Sequence, residues 1–196
     1  RQRQMCIRDR YNGGIGNQLF QYAFSLYCKQ YCSTVYADTA EYRRKTIHGG
    51  FLLETLIPTW TTEFPTISDE ASQRWNTLSL ADRVSNKLLH HFGKHYFEAY
   101  FSNTEQIVSF LADHKNSYLE GYWQNIHIVQ PVLAKLQEGI VPPEKVTVSE
   151  WYNRLSTNNA IALHIRRGDY LSSPDARRHY GCLLYTSPSP RDVEES

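Results

Sequence analysis

An α/β fold with a parallel sheet is what this sequence predicts, and three observations carry the prediction. Apolar runs of strand length alternate along the chain with longer segments whose apolar residues recur at three- and four-residue intervals. Glycine, proline and asparagine punctuate the junctions. Residues 160–165 (AIALHI) are almost wholly apolar, as a strand covered on both faces must be, and they run straight into Arg166-Arg167-Gly168-Asp169.

The two ends are set aside before the elements are read. Residues 1–10 (RQRQMCIRDR) and 182–192 (CLLYTSPSPRD) are translations of the two adapters used in transposase-made sequencing libraries, the second read in reverse. Residues 1–10 and 182–196 are therefore expected to be non-native tails, excluded from fold reasoning as an expression tag would be, with 11–181 as the native span. On this reading the strand that should precede Gly13 is missing, because RQRQMCIRDR does not read as the central apolar strand of a parallel sheet.

Within the native span, Phe20, Ala23, Phe24, Tyr27, Cys28 and Tyr31 follow Leu19 at helical spacing, so an amphipathic helix is expected with Asn17 as its N-cap. Val35-Tyr36-Ala37 follows as a short strand ending at Asp38. A glycine turn, helix and strand in that order is Rossmann-like logic. His48-Gly49-Gly50-Phe51 is a turn into Leu52-Leu53-Glu54, and residues 59–77, punctuated by Pro58 and Pro65, read mostly as loop. Leu80, Val84, Leu88 and Phe92 form an apolar helical stripe of the core-facing kind. His91 and His95, four apart, have no third ligand at metal-binding spacing and read as a solvated helix end.

Residues 96–101 read as a strand, and Ser102 with Glu105 as a capping box ahead of Ile107, Val108 and Leu111. Residues 118–123 form the next strand, followed by a helix through Ile128, Val132 and Leu136 in which Pro131 is tolerable only near the first turn. Pro142-Pro143 marks the approach to an interdomain linker, 151–155 is a short helix, and Asn158-Asn159 turns the chain into the strand at 160. The expected division is one domain over 11–158 and the start of another over 159–181.

Without the tails, the 21 basic and 20 acidic residues fall to 16 of each. That balance argues against a nucleic-acid-binding surface, which carries a basic excess, and any anion site has to be local. Of the four cysteines only Cys28 and Cys32 lie in the native span. Four apart on a helix, they read as packed, reduced thiols of a cytosolic protein rather than as a disulfide framework. No run approaches the roughly 18 apolar residues of a membrane span. A cytoplasmic location is expected, peripheral to the inner membrane at most; the oligomeric state leaves no mark in the sequence.

Arg166 and Arg167 place two forked guanidiniums beside Gly168, an arrangement suited to two-point contacts with a diphosphate and equally to a solvated loop start. His164 either bonds a phosphate or satisfies a buried backbone group. Free amides at the start of the first helix favour an anion or a sugar oxygen. Leu19 stands where a dinucleotide fingerprint needs glycine, which disfavours a nicotinamide site. Tyr122, Trp123 and Gln124 suit a sugar face or a core. Asp38 and Asp169 are the candidate bases, with Asp169 better suited to orienting the neighbouring arginines.

Three blocks, in one order, resemble the alpha-1,2-fucosyltransferase family. They are Gly13-Gly14-Ile15-Gly16-Asn17-Gln18-Leu19-Phe20-Gln21-Tyr22-Ala23-Phe24, then Tyr118-Leu119-Glu120-Gly121-Tyr122-Trp123-Gln124, then His164-Ile165-Arg166-Arg167-Gly168-Asp169-Tyr170, which is similar to the HxRRxD signature of transferases that use GDP-fucose. The turn at His48-Gly49-Gly50-Phe51 resembles the family's His-x-Gly-Phe-x-Leu segment and would lie beside the acceptor.

The resemblance implies a GT-B-type glycosyltransferase of two Rossmann-like domains. Gly14, Gly16, Asn17 and Gln18 would line the catalytic cleft, with His164, Arg166, Arg167 and Gly168 holding the donor and Arg167, Asn17 and Asp169 forming the catalytic group. The implied reaction moves L-fucose from GDP-fucose to the 2-hydroxyl of a terminal galactoside, with inversion and without metal, the two guanidiniums meeting the charge of the departing GDP. GDP-fucose is then a substrate, and no cofactor is expected; the partners are this donor and a galactose-terminated glycan. An alpha-1,6- or protein O-fucosyltransferase, or a non-catalytic nucleotide- or glycan-binding domain, stays open, although the Gly-Tyr-Trp-Gln block argues for the 1,2 type. The family's Phe-Ser-Asp-Asp-like and Asn-Ser-Thr-Phe-Ser-Trp-Trp-like segments are not in this sequence, so the resemblance covers about the first half of the family domain. The 196-residue chain by itself is expected to be catalytically inactive.

Overall fold

The computed structural model describes residues 6–44, 49–76, 95–113 and 116–161. Among the described residues four parallel strands form one sheet: β1 is Cys6–Arg10, β2 Thr34–Asp38, β3 His95–Phe97 and β4 Asn116–Glu120, in the spatial order β2-β1-β4-β3. Helix α1, Ile15–Cys28, links β1 to β2. The chain is therefore mixed α/β with an all-parallel sheet and a Rossmann-like first unit, as the alternation of strand and helix patterns predicts.

The strand expected to be missing is present, and it is central. Cys6–Arg10 pairs with β2 on one side and β4 on the other. The pairing runs through main-chain groups, which any residue but proline supplies, and the inward positions of the strand are Ile7 and Asp9, both fully buried. Asp9 accepts hydrogen bonds from Ser25 Oγ at 3.0 Å and Trp123 Nε1 at 3.3 Å, and burial pushes its carboxyl well above the usual range. Arg10 is held by Glu41 at 2.8 Å and Glu120 at 2.9 Å. A polar segment can thus complete the sheet because the Asp9 carboxyl and the Arg10 guanidinium both find partners.

α1 begins at Ile15, with Gly14 in extended geometry as the N-cap, so Asn17 lies in the first turn and is not the cap. Its inner face joins Tyr22, Ala23, Phe24, Leu26, Tyr27 and Cys28 to the core. Phe24 stacks on Trp123 at 3.8 Å between ring centroids, and Tyr11 meets Phe51 and Trp60 edge-on. Cys28 and Cys32 are free and buried.

Several local expectations shift. Residues 59–77 contain the helices Trp60–Glu63 and Asp69–Asn76, the first anchored by the fully buried Trp60. β3 is shorter than expected because the chain tightens into a 3-10 turn at Glu98–Tyr100. His95 is buried on β3, with Nε2 3.0 Å from Glu120, and does not sit at a solvated helix end. Helix Thr104–Asp113 is capped one residue later than expected: Asn103 Oδ1 accepts from Gln106 N, and Gln106 Oε1 accepts from Ser102 N. The helix expected through 128–136 is broken at Gln130–Val132, where Pro131 has no N–H to continue it. The stripe of Leu80, Val84, Leu88 and Phe92, together with His91, lies outside the described residues.

The chain divides into two compact units, residues 1–147 and 148–196. The first holds the sheet. In the second, helix Glu150–Ser156 is capped by Ser149, whose Oγ accepts from Tyr152 N at 3.1 Å. Ala160 and Ile161, expected to open a buried strand, are exposed and belong to no strand; no described strand pairs with them. The rest of that strand and its loop lie outside the described residues. Among the described residues no helix is long and apolar enough to cross a membrane.

Candidate functional site at the carboxyl edge of the sheet

Because all four strands are parallel, their carboxyl ends share one edge, where open α/β sheets bind their ligands. β1 and β4 are neighbours, so the loop leaving β1 (residues 11–14) and the loop leaving β4 (residues 121–125) meet there. Gly13 has φ +79°, and a Cβ on it would fall 2.5 Å from Asn17 Nδ2, so this turn requires glycine on two counts. Its carbonyl accepts from the Tyr42 hydroxyl at 2.7 Å. Gly16 is exposed, and a Cβ there would meet nothing within 4 Å, leaving open space over the start of the helix.

Two glutamines one helical turn apart tie the edge together from below. Gln18, fully buried, donates from Nε2 to the Gly13 and Gly50 carbonyls at 3.1 and 3.0 Å and accepts from Leu52 N at 2.9 Å. Gln21, also fully buried, donates to Asn12 Oδ1 and to the Gly121 carbonyl and accepts from Asn12 N. The glycine loop, the turn at Gly49-Gly50 and the β4 loop are thereby joined through α1. Both amide hydrogens of Gln18 are committed to backbone, so it supports the cleft from within instead of facing it.

Beyond β4 the chain passes so close to Glu98 that a Cβ on Gly121 would lie 2.4 Å from that side chain. Glu98 Oε2 then accepts from Tyr122 N at 2.7 Å and Trp123 N at 2.9 Å. Trp123 takes the left-handed φ of +54°. It is fully buried against Phe24, so of the two aromatics here it is the core residue. Tyr122, 45% exposed, stays on the surface. Gln124 Nε2 donates to Asn17 Oδ1 at 2.9 Å, which brings two of the three sequence blocks into direct contact.

Tyr42 also belongs to this edge. Burial pushes its phenol up, the nearby Gln18 amide draws it partly back, and Glu41 and Tyr122 add smaller upward effects, so Tyr122 stands within electrostatic reach of Tyr42. Asp38, a candidate base, is buried and accepts from Ala40 N, Ser72 Oγ and Tyr118 Oη, at 2.9, 2.6 and 2.6 Å. With three donors it stitches β2 to β4 and is not available to a reacting hydroxyl. No group of three metal-ligating side chains occurs among the described residues.

Of the residues singled out from sequence, Gly14, Gly16, Asn17 and Gln18 converge at this edge, Asn17 facing outward and Gln18 inward. His164, Arg166, Arg167, Gly168 and Asp169 lie outside the described residues. Sequence reasoning passed over Gln21, Glu98 and Tyr42. Gln21 was findable, since a glutamine three residues after Gln18 must share its helix face. Glu98 and Tyr42 join the site through contacts remote in sequence, and nothing local announces them.

The family described as Glycosyl transferase family 11 matches residues 10–182. The alpha-1,2-colitosyltransferase of Escherichia coli is 28% identical over 187 residues, covering 88% of this chain. The chain spans 58% of the length of that curated relative. No solved structure matches the chain.

Proposed function

The chain belongs to glycosyl transferase family 11, and from that premise we propose that it forms part of an inverting, metal-independent transferase moving L-fucose from GDP-fucose to the 2-hydroxyl of a terminal galactoside. The observation that carries this reading is the Asn17–Gln124 bond, which joins the glycine loop of β1 to the Gly-Tyr-Trp-Gln loop of β4 at the edge where such sheets bind ligands. Residues 11–158 would be the acceptor-side domain of a GT-B architecture, and 159–181 the beginning of the donor side.

In this reading the acceptor 2-hydroxyl oxygen bonds to the anomeric carbon of fucose as that carbon's bond to the GDP β-phosphate oxygen breaks. The electron pair leaves with GDP, and the hydroxyl proton passes to a carboxylate base. Arg166 and Arg167 grip the diphosphate and stabilise its growing charge, with Gly168 allowing close approach and Asp169 orienting the two guanidiniums. His164 would bond the phosphate beside them. Asn17 presents its amide to the reacting sugars, while Gly14 and Gly16 leave the helix start open to them. Gln18 and Gln21 keep that arrangement rigid.

The test is turnover of GDP-fucose, by this chain and by the same chain continued to the relative's full length, with linkage analysis of the product. Hydrolysis without transfer to a galactoside, or a product linked elsewhere than at the 2-hydroxyl, overturns the assignment. The relative's name favours one second reading, in which colitose is the sugar moved. Colitose is L-fucose without its 3-hydroxyl, so a donor site that hydrogen-bonds that hydroxyl rejects colitose strongly, whereas an apolar one discriminates little. The ratio of kcat/KM for the two GDP-sugars decides between them.

A further inference from the structure

We propose that Tyr122 and the Asn17–Gln124 amide pair form a subsite for one neutral hexopyranose ring. The inference rests on the transferase reading only in naming that ring as part of the acceptor.

Trp123 spends its whole ring on the core, stacked on Phe24 and fully buried, whereas Tyr122 leaves 45% of its surface open. The left-handed backbone of Trp123 is costly for a bulky residue. Here it turns the chain so that the tryptophan points inward while the residues on either side, Tyr122 and Gln124, remain at the surface. Glu98 holds the conformation by accepting both the Tyr122 and Trp123 amides, so the display is set before any ligand arrives.

The chemistry of the display matches a sugar. A pyranose offers a face of C–H groups for an aromatic ring and a rim of hydroxyls that each donate and accept. Two residues after Tyr122, in the same loop, the exposed Gln124 donates from Nε2 to Asn17 Oδ1 at 2.9 Å. The Asn17 amide hydrogens and the Gln124 carbonyl oxygen have no hydrogen-bond partner among the described residues. They form an adjacent donor and acceptor, the complement of two neighbouring hydroxyls. The Glu98 carboxylate lies 2.7 Å from the Tyr122 amide, and its charge disfavours an acidic sugar there, which makes the preferred ring a neutral one.

The experiment is saturation-transfer NMR on the whole chain with methyl β-D-galactopyranoside and methyl β-D-galacturonoside as probes. The wild-type chain and Tyr122→Phe should transfer saturation to the ring C–H protons of the galactoside. Tyr122→Ala should weaken binding about tenfold, Gln124→Ala should weaken it several-fold, and the galacturonoside should bind more weakly than the galactoside. Thermal unfolding of Tyr122→Ala checks that the exposed ring has been removed without loss of the fold. Galactoside contact that survives Tyr122→Ala undiminished overturns the proposal, as does absence of contact in the wild-type chain or a preference for the galacturonoside. Donor turnover is measured separately. A chain that turns over GDP-fucose yet shows no sugar contact at Tyr122 loses this subsite and keeps the transferase reading; sugar contact without donor turnover has the reverse consequence.

Discussion

Asn17 shows how one residue's role depends on its exact place in a helix. Since Gly14 caps α1, Asn17 carries no part of the helix terminus, and its amide is bonded to Gln124 at the surface. Asn17→Ala should therefore leave the melting temperature nearly unchanged, within the roughly 0.5 kcal/mol of an ordinary surface substitution, while lowering transfer by the full-length chain; an equal loss of stability and activity would return it to a structural role. Gln21→Leu should behave oppositely. It leaves Asn12 N, Asn12 Oδ1 and the Gly121 carbonyl without their partner in a partly buried place, a cost of about 1 kcal/mol by chemical denaturation. At the proposed donor loop, Arg167→Lys keeps the charge and loses the two-point fork. It should abolish most turnover, and undiminished turnover at saturating donor would remove the phosphate-clamp role.

At the scale of elements, α1 does two things at once. Its apolar positions pack on the sheet, and its two buried glutamines carry the loops that follow β1 and β4 along with the turn at 49–52. The periodicity of a helix makes this possible, because positions 18 and 21 fall on the face that also holds Tyr22 and Ser25. Helix Thr104–Asp113 offers a cleaner test of element boundaries. Asn103→Ala should cost about 1 kcal/mol, as loss of a side-chain cap does, whereas Ser102→Ala should cost little, since only the Ser102 backbone takes part. Equal costs at the two positions would contradict the observed cap.

For the whole molecule, two carboxylates give stability opposite dependences on pH. The Asp9 pKa is raised, chiefly by burial, so the stability it contributes is fully present below its unfolded value of 3.8 and is lost as pH rises through its higher folded value. Burial would raise Glu120 as well, but the bond from His95 and the charge of Arg10 outweigh it, and its pKa is lowered from 4.5. Its contribution is present above that value and is lost as pH falls through the lower folded one. Thermal unfolding between pH 2 and 8 should show an acidic limb below pH 4.5 from Glu120 and a decline above pH 3.8 from Asp9. Asp9→Asn should remove the decline and spare the acidic limb; an unaltered profile would show that Asp9 does not govern it.

What the sequence by itself determined is the class of fold, the strand at 34–38, the helix that follows the glycine turn, and the family to which the blocks at 13–24 and 118–124 belong. These are properties of periodicity, turn chemistry and short motifs, all of which act over a few neighbouring residues. Only the tertiary structure decided that residues 6–10 complete the sheet, because a central strand is defined by its two partners and an unpromising sequence can occupy it when Asp9 and Arg10 find theirs. It likewise decided that Trp123 is core and Tyr122 surface, that Asp38 is a tie between strands, and that Asn17 meets Gln124. Each of these depends on contacts between residues far apart in the chain, and burial and hydrogen bonding across such distances leave no local trace to read.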